Sequence, residues 1–150
     1  MWVANYLQER DVEVAMQEVE RGRPNVIATL RGDGTGASLM FNGHLDIDPL
    51  TDGYKHDPWK IEVRDGRLWG HGLANMKAGV ASMVHAAIAV KRSRVPLKGS
   101  IVVACVIGEL QCGVVSEYLS RKGPLHDLAI VREPRNMNLP TPPSAKVLTP

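Results

Sequence analysis

The 150-residue sequence predicts an α/β domain with a mixed, largely parallel sheet flanked by helices. Three observations carry that expectation. Residues 101–107, Ile-Val-Val-Ala-Cys-Val-Ile, are apolar at every position, as a central strand covered on both faces must be. A shorter apolar run, Ser38 to Phe41, leads into Asn42-Gly43-His44-Leu45-Asp46, placing reactive side chains where a strand stops. In open α/β sheets that is the end where ligands bind. Between the two runs lies a helix-length segment, beginning at Ala74 or Asn75 and lasting to about Lys91. Its apolar and small residues, including Val80, Met83, Val84, Ala87, Ile88 and Val90, cover more than one stripe, so the helix should be well buried against the sheet.

The remaining elements follow in chain order. Trp2, Val3, Tyr6 and Leu7 recur at helical spacing. Val12, Val14 and Met16 alternate with polar residues as in a strand, and Asn25 to Leu30 reads as another. Arg31-Gly32-Asp33-Gly34-Thr35-Gly36 lacks the Lys-Ser/Thr signature of a phosphate loop and reads as a hairpin connection. Residues 47 to 59, rich in Pro, Asp and Gly, form a surface loop. Ile61 and Val63, the Asp65-Gly66 turn, and Leu68-Trp69 make a hairpin. A helix is expected over Val114 to Arg121 and a short strand over Leu128 to Val131. The Pro-rich segment 136–150 has no apolar periodicity and is expected to be a disordered or loosely attached tail.

Composition is ordinary for a globular chain, 44% apolar and 23% charged, and a formal charge of +2 points to no particular partner. Lys91, Arg92 and Arg94 have no aromatic among them to stack a base and read as a solvated helix end, so no nucleic-acid partner is expected. Met1 to Arg10 mix apolar and charged residues unlike a secretory signal, and no apolar run approaches the roughly 18–20 residues of a membrane span. Cys105 and Cys112 offer neither a disulfide framework nor a paired metal motif, which favours a reducing, cytoplasmic setting. Cys105, inside an apolar run, reads as a buried small hydrophobe.

The chemistry centres on His44-x-Asp46. Alternate residues of an extended segment point the same way, so Asp46 can reach the His44 ring. Metal-bound histidines usually give their second nitrogen to a carboxylate or carbonyl, and the pair reads as ligand plus orienter. The competing reading is a polar strand end with a local hydrogen bond. Gly70-His71-Gly72 before a helix could suggest a dinucleotide loop, but Asn75 and Met76-Lys77 do not continue that fingerprint. Trp59 and Trp69 read as packing anchors, Met76 as core, His85 as packed or partly exposed, His56 and His126 as surface residues. His71 reads as an exposed loop residue that could touch substrate.

Together, Arg23-Pro24-Asn25-Val26, Asn42-Gly43-His44-Leu45-Asp46, Asp57-Pro58-Trp59, Asp65-Gly66-Arg67-Leu68-Trp69-Gly70-His71-Gly72, Met76-Lys77-Ala78-Gly79, Gly108-Glu109 and Glu133-Pro134 resemble one family in order and spacing. It is the zinc-dependent amidohydrolases and peptidases that include acetylornithine deacetylase, succinyl-diaminopimelate desuccinylase, aminoacylase and glutamate carboxypeptidase. The resemblance runs from about Val3 to Pro134. It implies a small amide substrate, no membrane partner, and zinc or cobalt at the carboxyl ends of a sheet. His44, position 75 and Glu133 would be metal ligands, and Glu109 the general base for the attacking water. It further implies that residues 1–135 are the N-terminal part of an incomplete catalytic domain, in a family often homodimeric through a domain not present here.

The sequence departs from the family pattern at two consequential points. Asn75 stands where an aspartate would bridge two metals, and Leu110 stands where a glutamate would hold the second. Two dications would then face too little negative charge for a low-dielectric site. One weak metal on His44, Asn75 and Glu133 is the expectation, with Asp46 as orienter. Two readings of Glu109 stay open: general base, or metal ligand if the register slips by one. Two readings of the chain also stay open: a hydrolase for N-acyl amino acids or small peptides, or a non-catalytic module of the same fold.

Overall fold

The computed structural model describes residues 1–50, 52–54, 57–110, 118–119, 121–124, 126–131 and 146–148. Helix α1 (Trp2–Gln8) precedes strands β1 (Glu13–Glu20), β2 (Arg23–Leu30) and β3 (Leu39–His44). A hairpin of β4 (Glu62–Arg64) and β5 (Arg67–Trp69) leads through a kinked helical turn, Leu73–Lys77, into α2 (Ala78–Ser93). Strands β6 (Ile101–Val106), β7 (Leu128–Val131) and β8 (Lys146–Leu148) follow.

The main sheet has six strands in the order β1-β2-β6-β3-β7-β8. Strand β3 runs parallel to both neighbours, β6 and β7, whereas β1 with β2, β2 with β6, and β7 with β8 are antiparallel. The mixed α/β class expected from the sequence is therefore the class observed, with its parallel part gathered around the strand that carries His44. Strand β6 is central and covered on both faces. Val103 and Cys105 pack with α1 and α2, while Val102, Ala104 and Val106 pack on the opposite side with Ile27, Met40 and Leu119. Burial pushes the Cys105 thiol up to about 12, so it stays protonated at neutral pH and acts as a small hydrophobe.

The buried residues of α2, Gly79, Val80, Met83, Val84, Ala87 and Ile88, make one stripe, leaving Ser82, His85 and Ala89 exposed. The sequence overstated its coverage, because alanines that suit a buried face suit an exposed helix surface equally well. Leu73–Ser93 has the length and composition of a membrane span, with a mean hydropathy of 1.3, but its apolar stripe is spent on the sheet. Lys91 and Arg92 lie exposed in the last turn of α2, favourably placed on its dipole.

Two connections differ from expectation. Arg31–Gly36 is not a hairpin, because β6 lies between β2 and β3. The segment crosses the start of β6 and is tied there: Asp33 N–H donates to Leu97 O at 2.9 Å, Gly34 N–H to Lys98 O at 2.9 Å, and Gly32 N–H to Ser100 Oγ at 3.1 Å. Lys146–Leu148, inside the segment read as an unstructured tail, instead pairs antiparallel with β7. The helix expected over Val114 to Arg121 lies largely outside the described residues, with Tyr118, Leu119, Arg121 and Lys122 helical.

The β4–β5 hairpin forms as the alternation predicts. Asp65 and Gly66 both take positive φ, 51° and 70°, which a two-residue turn of this hand requires. It stands apart as its own two-stranded sheet, so Trp59 and Trp69 are exposed at 64% and 48% rather than acting as packing anchors. Trp69 lies 5.0 Å from the Arg64 guanidinium instead.

Candidate functional site

His44 is the last residue of β3, opposite Val106 of β6, and the pairing continues as Leu45 N–H donates to Val106 O at 2.8 Å. Because β3, β6 and β7 are parallel, their carboxyl ends gather at one edge of the sheet, where the segments after His44 and Val106 emerge. Gly43 makes the close approach of α2 possible: a Cβ there would come within 2.8 Å of Met83 Cε and Val80 Cγ2. Met76 is fully buried beneath the site and its Sδ accepts the His44 N–H at 3.3 Å, consistent with a core role.

The His44 ring is 3% exposed, and its Nδ1 lies 2.9 Å from the Asp46 main-chain oxygen. A carbonyl can only accept, so Nδ1 carries a proton, and in the neutral tautomer this selects, Nε2 is the lone-pair nitrogen. Nε2 points toward Glu109 Oε2, 3.9 Å away. The orienting group is thus mainly the Asp46 carbonyl, with its carboxylate 3.5 Å from Nδ1. That carboxylate has other work. Its Oδ1 accepts the Glu109 N–H at 3.4 Å and its Oδ2 the Leu110 N–H at 3.1 Å, fixing the loop after β6. Leu110 itself is exposed and offers no donor atom.

Asn75 is not the first residue of a regular helix. Its φ and ψ of −120° and 94° interrupt the turn, and its Nδ2 donates to Asp48 Oδ2 at 2.9 Å. Only the amino end can face a carboxylate, which assigns the amide and leaves Oδ1, buried and without a hydrogen-bond partner, on the other side.

Asp48 was not singled out by sequence, although it continues the alternation of His44 and Asp46. Its main-chain oxygen accepts from His71 Nε2 at 2.7 Å, so in the neutral ring Nδ1 accepts the Tyr54 hydroxyl at 2.6 Å. Trp59 meets the same ring edge-on, with centroids 5.6 Å apart. His71 is thereby a fixed, half-buried wall of a cleft of about 460 Å3 lined also by Asp48, Tyr54 and Asn75. That volume is in the range of small-molecule sites. Gly70-His71-Gly72 follows a strand of the separate hairpin, not of the parallel sheet, and is no dinucleotide loop.

The structure brings together His44, Asp46 and Glu109, and ties Asn75 to Asp48. Glu133 and His56 lie outside the described residues. Among the described residues no three His, Cys, Asp or Glu side chains form a group able to hold a metal. His126, read as a surface residue, is half-buried, with Nε2 lacking a hydrogen-bond partner. Burial lowers its pKa, the Asp127 carboxylate opposing.

Comparison with known proteins agrees with this architecture. The profile described as "Peptidase family M20/M25/M40" matches residues 40–141. An N-formyl-4-amino-5-aminomethyl-2-methylpyrimidine deformylase of Bacillus subtilis is 30% identical over 92% of this chain and 33% of its own length. A succinyl-diaminopimelate desuccinylase of Gluconobacter oxydans is 40% identical over 75% of this chain and 30% of its own. The chain thus spans about a third of these curated relatives. A metallo-carboxypeptidase of the M20 family, Sso-CP2 from Sulfolobus solfataricus, shares the fold with a TM-score of 0.74 at 15% identity, over 87% of this chain and 30% of its own. With His44 at the end of a parallel strand and the profile match covering most of the sequence, the chain belongs to peptidase family M20/M25/M40.

Proposed function

We propose that this chain carries part of the centre of a metal-dependent amide hydrolase acting on N-acyl amino acids or small peptides in the cytoplasm. The observation that carries the reading is the 3.9 Å approach of Glu109 Oε2 to His44 Nε2 at the carboxyl ends of the parallel strands β3 and β6. The names of the two relatives, a deformylase and a desuccinylase, support acyl removal from nitrogen.

One zinc or cobalt ion fits the donors better than two. His44 offers Nε2, Asn75 offers the buried Oδ1, and Glu133 would complete the set. Among the described residues a second ion lacks unengaged carboxylates beside these donors: Asp46 is engaged with two backbone amides, Asp48 with Asn75, and Leu110 has none to give. The ion, when bound, polarises an amide carbonyl and acidifies water. Glu109 takes a proton from the attacking water and returns it to the departing nitrogen. Asp46 holds both partners, His44 through its carbonyl and the Glu109 loop through its carboxylate. The cleft beside His71 receives the substrate's body.

Zinc titration by calorimetry should show one equivalent, and a panel of N-formyl, N-acetyl and N-succinyl amino acids should be hydrolysed only with metal present. Two equivalents at micromolar affinity would overturn the single-ion assignment. A second reading, a non-catalytic module of the same fold with at most one weak ion, is favoured by the Asn75–Asp48 bond and by the absence of a three-residue ligand group among the described residues. Metal binding without turnover would select it.

The Asn75–Asp48 pair makes a separate prediction. Asn75→Asp removes the donor and sets two carboxylates against each other, which should cost about 1 kcal/mol without metal, or roughly 2–4 °C in Tm. Millimolar zinc should reverse the loss, because the added carboxylate binds the cation only in the folded state. Equal melting of the variant with and without zinc would contradict this.

A further inference from the structure

We propose that Asn25 is a positioning residue for Glu109, fixing the turn after β6 that aims this carboxylate at His44; the functional side of the claim rests on the reading of Glu109 above. Asn25 is wholly buried at 0% exposure, where an amide is costly unless both ends are satisfied. Its Nδ2 donates to Gln17 Oε1 at 3.0 Å, and its Oδ1 accepts the Ile107 N–H at 3.2 Å. Gln17 is held in turn, its Nε2 donating to Gly123 O at 2.8 Å, so its oxygen faces Asn25. The chain of bonds allows Asn25 one orientation, with oxygen toward Ile107.

Its place in the sheet explains what that bond does. Strand β2 pairs with β6 from Leu30 opposite Ile101 to Val26 opposite Cys105, and there the ladder ends. The Asn25 side chain captures one further N–H, two residues beyond. The chain then turns at Gly108, with φ of 75°, and the next two amides are taken by the Asp46 carboxylate. The segment 107–110 is therefore held at its start by Asn25 and at its end by Asp46, with Glu109 between. The Glu109 side chain is 49% exposed, so its approach to His44 is set by where its backbone is held rather than by packing around the carboxylate.

The test uses the whole 150-residue chain with Asn25→Ala, Asn25→Asp and, as a stability control in the core stripe of α2, Val84→Ala. Amide hydrogen exchange is read by NMR at Ile107, Glu109 and Leu110 against Val103 in the strand centre, and zinc affinity by calorimetry. Asn25→Ala should speed exchange at the three turn amides at least tenfold relative to Val103 and weaken zinc binding about fivefold or more. Asn25→Asp, which keeps the acceptor, should recover most of both. Val84→Ala should lower Tm without that selectivity. If Asn25→Ala does not fold, Gln17→Leu, which frees the Asn25 amide to turn, should give a smaller selective rise of about threefold. Unchanged turn exchange, or the same pattern in Val84→Ala, would overturn the proposal. Selective exchange in a wild-type chain that binds no zinc would leave the positioning role standing and remove the metal reading instead.

Discussion

Gly99→Ala should destabilise the chain by about 3 kcal/mol or more, roughly 6–12 °C in Tm, or prevent folding altogether. A Cβ on Gly99 would overlap the carbonyl group of Ala37 and lie 2.9 Å from Gly36 O. These are backbone atoms, not the yielding end of a side chain. They belong to the connection that carries β2 over the start of β6 to reach β3, and its hydrogen bonds to Leu97 and Lys98 leave it little room to retreat. Moving it would shift Leu39 from its place opposite Ile101, and with it the whole register that sets His44 opposite Val106. The damage at one end of the sheet is thus transmitted to the site at the other. Gly34→Ala on the same loop is the control: nothing lies within 4 Å of its Cβ, so only its φ of +85° opposes the change, at about 1 kcal/mol. Thermal melts of the two variants decide the matter, and a Gly99→Ala protein melting within 2 °C of wild type would refute the steric account.

That same crossing marks the boundary of what could be read from sequence. Strand β6 was legible because seven consecutive apolar residues have few other uses, and the β4–β5 hairpin because Asp65-Gly66 supplies the turn chemistry locally. The Gly-rich loop 31–36 has equally suitable chemistry for a hairpin, and nothing within it reveals that the much later strand β6 will enter between its flanks. Asn75 was misplaced for a similar reason. The helical pattern of α2 extends smoothly back to it, but a bond to Asp48, 27 positions away, and the burial of Met76 outweigh local propensity. For Trp59 and Trp69, nothing in the local sequence says whether another layer covers them. At the site, the strand end points to His44 and Asp46 from the residues alone, whereas Glu109 enters only through the family resemblance. The roles of Asp48, Gln17 and Asn25 were not legible, since each is defined by hydrogen bonds to distant residues. The Asp46 carboxylate shows the limit of such a reading: alternation places it near His44, yet its hydrogen bonds go to the backbone amides of Glu109 and Leu110.

On the function proposed above, Glu109→Gln should lower metal-dependent amide hydrolysis by about 10²–10⁴-fold, the usual contribution of a positioned general base. The substitution is nearly isosteric and the side chain is half exposed, so Tm should change little. What makes this variant decisive is that it separates the two roles open to one carboxylate 3.9 Å from a histidine nitrogen. A base abstracts a proton and need not touch the ion, so zinc affinity should persist while turnover falls. A ligand contributes its charge to the ion, and an amide in its place should weaken zinc binding by tenfold or more along with turnover. The backbone favours the first outcome. Glu109 N–H and Leu110 N–H are both drawn onto Asp46, which holds the loop so that Glu109 faces Nε2 of His44 without displacing the Asp46 carbonyl that orients the ring. Calorimetry on Glu109→Gln beside the hydrolysis assay reads both quantities. Turnover that survives the change would remove Glu109 as the base, and lost zinc affinity would reassign it as a ligand.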